Sequence, residues 1–138
     1  MNKFLIFLII LLLFTLPAQA YQSTVLKEYY KTLNWNYQNY TLTAKDIEIA
    51  EAIMVKAVKT KPELKDLNGY TRQYVGVITP KGEKIIWINC FYSSNPDKDY
   101  SNWKKEPVMV LDGGANYFSI KINLTTKDYY DFWVNGDA

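Results

Sequence analysis

Histidine is absent from the 138-residue chain and cysteine occurs once, at Cys90. Imidazole acid/base chemistry, His-ligated metals, and Ser-His-Asp or Cys-His nucleophile systems are thereby excluded. A single thiol closes no internal disulfide. An excess of charge of one sign is also lacking: 16 Lys+Arg stand against 14 Asp+Glu, a formal net charge of +2. An electrostatic nucleic-acid binder needs a basic stripe and a strongly basic balance, so the count argues against that class. No internal repeat, low-complexity tract or long Gly/Ser/Pro linker divides the sequence. What is plentiful is aromatic: 12 Tyr, 4 Trp and 6 Phe, in a chain that is 49% apolar and 22% charged. That is the composition of a globular protein, and the length suits one domain.

The first twenty residues read as a secretory leader. Lys3 supplies the positive start, Phe4 to Leu16 is apolar except for Thr15, and Pro17 ends the run. Ala18 and Ala20 put small residues at the two positions that a signal peptidase reads. A spanning helix needs about 20 apolar residues, which this run does not reach. No Cys adjoins the cleavage site, so no lipid anchor is available there. The expected product is a soluble, exported bacterial protein, periplasmic or secreted, that begins at Tyr21 and forms one domain over residues 21–138. Cys90, among Ile86, Ile88 and Phe91, reads as a small buried hydrophobe in an oxidising compartment.

The exported part divides into a helical segment, 21–62, and a β-rich one, 69–135. Leu26, Tyr29, Tyr30 and Leu33 at helical spacing predict a short amphipathic helix over 24–33. Residues 34–40 show no period and read as a loop. The main helix follows: Thr43 caps it, Asp46 reaches back in a capping box, and Ile47, Ala50, Ile53, Met54, Ala57 and Val58 form one apolar face. Lys56, Lys59 and Lys61 gather at its end, and Pro62 stops the pattern. From Tyr70 the period becomes two. Strands are predicted over 70–79, 84–92, 106–111, 117–124 and 129–134, with Pro80-Lys81-Gly82-Glu83 as a hairpin connection. Both faces of the second strand are apolar, so it should be central and covered on both sides. The fold class is therefore α+β: one main helix packed on a four- to five-stranded antiparallel meander, with a short N-terminal helix.

This element order, over residues 43–135, is similar to that of cystatin-like folds and PepSY-type modules, in which a curved antiparallel sheet wraps a helix. A second likeness lies in Gly82-Glu83-Lys84-Ile85-Ile86-Trp87-Ile88-Asn89-Cys90-Phe91, Val110-Leu111-Asp112-Gly113-Gly114, Tyr117-Phe118, Asn123-Leu124-Thr125-Thr126 and Val134-Asn135-Gly136-Asp137-Ala138. These strings resemble a set of small exported bacterial proteins of unassigned activity. The resemblance implies export and a single domain, and it brings no catalytic residues with it.

Several local patterns bear on chemistry. Asn95, Asp97, Asp99, Ser101 and Glu106 occupy positions 1, 3, 5, 7 and 12 of an EF-hand calcium loop, though Tyr100 stands where Gly is needed for the sharp turn. A solvated hairpin loop explains the same residues. Asp112-Gly113-Gly114-Ala115-Asn116 offers backbone N–H groups for an anion-binding nest, or simply a hairpin turn. Gln73-Tyr74-Val75-Gly76-Val77 approaches the Gln-x-Val-x-Gly tip of cystatin-type inhibitors, with its Gly one position early. Asn39-Tyr40-Thr41 and Asn123-Leu124-Thr125 fit the glycosylation sequon, with Thr125 also serving the turn. Among the aromatics, Trp87, Trp103, Tyr117, Tyr129 and Trp133 are expected off the main core face, with Tyr129, Asp131 and Trp133 sharing one side of the last strand. Such residues stack on sugars or anchor a protein partner.

The functional expectation is a small exported, non-enzymatic binding domain that requires no cofactor, with a protein or glycan as partner. An inhibitor or regulator of an envelope protease or other enzyme is the alternative, and a carbohydrate-binding module the second. A carboxylate glycosidase needs two acids facing one bond, and no such pair is legible.

Overall fold

The computed structural model describes residues 21–137, and the expected leader over residues 1–20 lies outside them. The fold is α+β, built on a mixed sheet. Its strands are β1 (Ser23–Val25), β2 (Gln38–Asn39), β3 (Tyr70–Ile78), β4 (Lys84–Tyr92), β5 (Tyr117–Asn123) and β6 (Asp128–Val134). The helices are α1 (Tyr30–Leu33), the main helix α2 (Ala44–Val58) and α3 (Pro96–Asp99). Strands β3 to β6 form the antiparallel meander, and β1 adds to the free side of β3 in parallel at Arg72–Tyr74. Further along that side, β2 pairs antiparallel with Val77 and Ile78.

Helix α2 starts where its cap residues dictate. Thr43 Oγ1 accepts from the Asp46 N–H at 3.1 Å, and Asp46 Oδ2 accepts from the Thr43 N–H at 2.9 Å, the reciprocal bonds of a capping box. Tyr40 Oη donates to the same carboxylate at 2.6 Å. Burial disfavours ionisation of Asp46, but the bonds from Tyr40 and Thr43 and the charge of Lys84 outweigh it and hold the carboxyl below its ordinary value. The helix buries Ala50, Met54 and Ala57 against Ile86, Ile88, Cys90, Phe118, Ile120 and Ile122 of the sheet. Full burial of each large side chain contributes about 1.5–3 kcal/mol relative to exposure. Cys90 sits in this core as expected, and burial pushes its thiol pKa well up.

The sheet is covered on its other face as well. Leu26, Val75, Val77, Ile85 and Trp87 form a second cluster beneath Tyr29, Tyr30, Leu33 and Tyr37. The helix expected over 24–33 is thus reduced to α1, with β1 ahead of it. The sheet takes the backbone first: Arg72 donates its N–H to Gln22 O and Leu26 donates to Tyr74 O, each at 2.9 Å. The apolar spacing was a true signal of burial, since Leu26, Tyr29, Tyr30 and Leu33 all face this cluster. At Gly76 the chain passes so close that a Cβ would meet Tyr40 O at 2.3 Å, which leaves glycine as the residue that fits.

Two sequence expectations fail in the sheet. Residues 106–111 form no strand. And β6 carries a bulge: Ser119 faces Trp133 and Lys121 faces Tyr130, so Ile120 alone is matched by Asp131 and Phe132. Asp131 takes φ 46° to make room. The extra residue reverses the alternation. Tyr129, Phe132 and Val134 go to the helix side, whereas Tyr130 and Trp133 share the second face with Lys121 and Ser119. The expected grouping of Tyr129 with Trp133 is therefore dissolved.

A candidate binding groove under a strap

The second face carries a cross-strand row, Gln73–Asn89–Ser119–Trp133, one residue from each strand of the meander. Residues 103–112 cross this row as a strap, without forming a strand. Gln73 Nε2 donates to Trp103 O at 2.6 Å and Glu106 O at 2.7 Å, while its Oε1 accepts from the Val108 N–H at 2.9 Å. Asn89 Nδ2 donates to Val108 O at 2.8 Å and to Gln73 Oε1 at 2.9 Å. Past the end of β6, Asn135 Nδ2 donates to Val110 O at 2.7 Å and Asp112 O at 2.8 Å. Three side-chain amides thus do what a neighbouring strand would do. They capture the carbonyls of 106, 108, 110 and 112 at the period of an extended chain.

Between the strap and β6 lies a groove of about 320 Å³, lined by Trp87, Asn89, residues 108–111, Tyr117, Phe118, Ser119, Trp133 and Asn135. No charged side chain lines it. Met109 is 72% exposed, Trp133 68%, and Leu111 fully exposed. At the floor Trp87 is 7% exposed and stacks on Tyr29 with ring centroids 6.4 Å apart.

Of the five expected aromatic contact residues, the groove brings together Trp87, Tyr117 and Trp133. Tyr117 is half-buried, its hydroxyl hydrogen-bonded to that of Tyr100 at 2.5 Å. Burial, and then the Tyr117 bond, push the Tyr100 pKa well up. Trp103 is buried at the root of the strap, donating from Nε1 to Asp97 Oδ1 at 2.8 Å and lying edge-on to Phe91. Tyr129 is on the helix side, 6.2 Å from the Phe132 ring. Tyr129 and Trp133, on opposite faces of β6, therefore share no platform. Met109 and Leu111 were not singled out from sequence, and Gln73 and Asn135 entered only as parts of other patterns. Side-chain amides in the middle of two predicted strands, Gln73 and Asn89, were the available signal.

Three residues of the calcium-loop spacing, Asn95, Asp97 and Asp99, are tied to separate partners. Pro96 opens α3, a single helical turn over Pro96–Asp99. Asn95 Oδ1 accepts from the Lys98 N–H, Asp97 holds Trp103, and Asp99 Oδ2 accepts from Ser93 Oγ at 2.8 Å. Ser101 and Glu106 are exposed. Among the described residues no three acidic or thiol groups gather to hold a metal. The glycine pair serves a 3-10 turn into β5. The Gly114 N–H donates to Gly136 O, and Asp137 lies where a Cβ would stand, so the turn offers no open anion nest. Residues Gln73–Val77 are buried within β3 and paired to β4, not exposed at a hairpin tip, which removes the inhibitor motif. Asn123, of the second sequon, is buried with its amide spent on Glu83 and on the N–H groups of Thr125 and Thr126.

A second polar cluster lies on the helix side. Arg72 Nε donates to Glu51 Oε1 at 3.2 Å, and its Nη1 donates to Leu67 O and Tyr70 O. Tyr74 Oη donates to Glu51 Oε1 at 2.5 Å, and the Tyr21 ring covers the guanidinium at 3.5 Å. Burial, with the Glu51 charge next, pushes the Tyr74 and Tyr21 hydroxyls up. The arrangement clasps α2 to β3 and leaves the guanidinium no open face for a substrate. No protein family, curated protein or solved structure matches this chain.

Proposed function

We propose that the protein is a small exported binding domain without catalytic activity, and that it engages a protein partner through the groove between the strap and β6. The observation that carries this reading is the exposure of Met109, Leu111 and Trp133 around one uncharged depression. Apolar side chains scattered singly over a surface need no explanation, but three of them rimming a groove mark an interaction site. Trp is also among the residues that dominate interface energetics, because it offers a large rigid contact at low entropy cost. The leader-like sequence Met1 to Ala20 supports export.

A photoreactive benzophenone side chain placed at Leu111 or Trp133 in intact cells tests the reading. It should crosslink a discrete protein of the envelope or exterior, whereas the same group at the exposed Lys59 should not. Equal labelling from all three positions, or none from the groove, removes the proposal. Export has its own readout: the purified chain should begin at Tyr21 by mass spectrometry.

A further inference from the structure

The strap uses its main chain on one side only. In an extended chain the N–H and C=O of one residue point to the same side, and those of the next residue to the opposite side. The carbonyls of 106, 108, 110 and 112 are turned to the sheet's amides, so the main chain of Met109 and Leu111 is turned away from them. Among the described residues none hydrogen-bonds to the N–H or C=O of either. The exposed side chains of the same two residues stand beside this open edge.

Charge is distributed unevenly along the strap. Lys104 and Lys105, at its start, are exposed and take part in none of the three ion pairs among the described residues. With Lys27 and the single acid Glu28 they border a further cavity, near β1. Glu106 follows them, and Asp112 and Asp137 lie exposed beyond the other end.

We propose that Met109–Leu111 receives an extended protein segment as an added strand. Apolar side chains of the segment enter the groove, its acidic end lies over Lys104 and Lys105, and its main chain completes that of Met109 and Leu111. This rests on the groove being the contact surface and adds how it is used. A second copy fits less well. Two straps laid antiparallel about Val110 set Lys105 opposite Ala115 and leave the basic ends unmatched.

Selection from a random dodecapeptide phage library against the exported chain, purified from cells expressing the full sequence, tests the proposal. Recovered peptides should alternate apolar residues and end in an acid. A synthetic copy of the best one should shift the Met109 and Leu111 amide resonances. N-methylation at alternate peptide positions should weaken binding at least tenfold, and at the intervening positions should leave it unchanged. Leu111→Pro deletes an N–H that has no acceptor within the chain, so the fold should persist while affinity falls at least tenfold. Leu111→Thr keeps the N–H and should retain binding within about threefold. Binding indifferent to N-methylation and to Leu111→Pro overturns strand addition and leaves the groove reading in place. Failure to recover any peptide overturns strand addition, and crosslinking from Leu111 and Trp133 then decides the groove reading on its own. A dimer by sedimentation that Leu111→Pro abolishes assigns the edge to a second copy and overturns the proposed occupant.

Discussion

Asn89 donates from Nδ2 to Gln73 Oε1 at 2.9 Å, joining two buried amides across the middle of β3 and β4. The pair is the hub from which the strap is held. Gln73 fills its bonding capacity, with two bonds given from Nε2 and two accepted at Oε1. A buried network with every member paired fixes one geometry; the same network with one member missing strands several groups together.

Gln73→Leu should therefore act well beyond its own position. It removes the partners of Trp103 O, Glu106 O, Asn89 Nδ2 and the Val108 N–H, at about 1–3 kcal/mol for each group that water does not reach. Urea unfolding should show the loss, and amide exchange at Val108 should accelerate most. A midpoint and a Val108 exchange rate equal to wild type would mean that the strap is held by other contacts.

The Arg72–Glu51 pair gives a second test. Glu51→Ala leaves the Arg72 charge buried without its counter-ion and should cost about 3–5 kcal/mol. Glu51→Leu combined with Arg72→Met removes both charges and should recover most of that. A double variant as unstable as Glu51→Ala alone would show that the Leu67 and Tyr70 carbonyls and the Tyr74 hydroxyl, stranded with the pair, cost as much as the buried charge.

Stability should fall at both ends of the pH range. The Asp46 carboxyl is held below its ordinary 3.8, so its contribution is present above that value and is lost as pH falls through the folded-state value. Tyr130 behaves oppositely. Burial, then the nearby Tyr37, Asp131 and Glu83, push it from 10.0 up to about 12. Its contribution is present below pH 10 and is lost as pH rises toward 12. In urea titrations across pH, Asp46→Asn should flatten the acid limb and Tyr130→Phe should soften the alkaline one. An acid limb unchanged by Asp46→Asn would place the acid sensitivity elsewhere.

Iodide should divide the four tryptophans into two classes. Trp35 and Trp133 are exposed and should be quenched; Trp87 and Trp103 are buried and should not. Trp133→Phe should remove about half of the quenchable emission and change stability by less than about 0.5 kcal/mol, as surface substitutions do. In the same samples, the Cys90 thiol should react with a disulfide reagent only after unfolding, since it is fully buried. Native-state labelling of that thiol would contradict its burial.

The meander was legible from sequence because β5 alternates cleanly and because β4 is apolar on both faces, a pattern that only a covered central strand tolerates. Helix α2 announced itself through Thr43 and Asp46. The strap was misread for a physical reason. Val108 and Val110 are half-buried and Met109 and Leu111 exposed, the alternation of a strand, but the hydrogen-bond partners are Gln73, Asn89 and Asn135, distant in sequence and carried on side chains. Alternation reports extended backbone and cannot say what the backbone pairs with. The bulge at Asp131 was equally hidden: one left-handed residue reverses the faces of β6, and Asp gives no turn signal strong enough to announce it. The groove was half legible, through Trp87, Tyr117 and Trp133. The grouping of Trp133 with Tyr129 was lost to that single inserted residue.

The same bulge bears on how the protein persists at high concentration. Strand β6 is the outermost strand on its side of the sheet, and a flat outer strand is a template for fibril growth. Asp131 kinks the strand at mid-length and sets an exposed carboxylate beside it, so a neighbouring molecule cannot lay a continuous strand there. Sideways pairing is hindered at this edge of the sheet. The unpaired main chain of Met109 and Leu111 is left on the strap, where it is too short to seed a fibre.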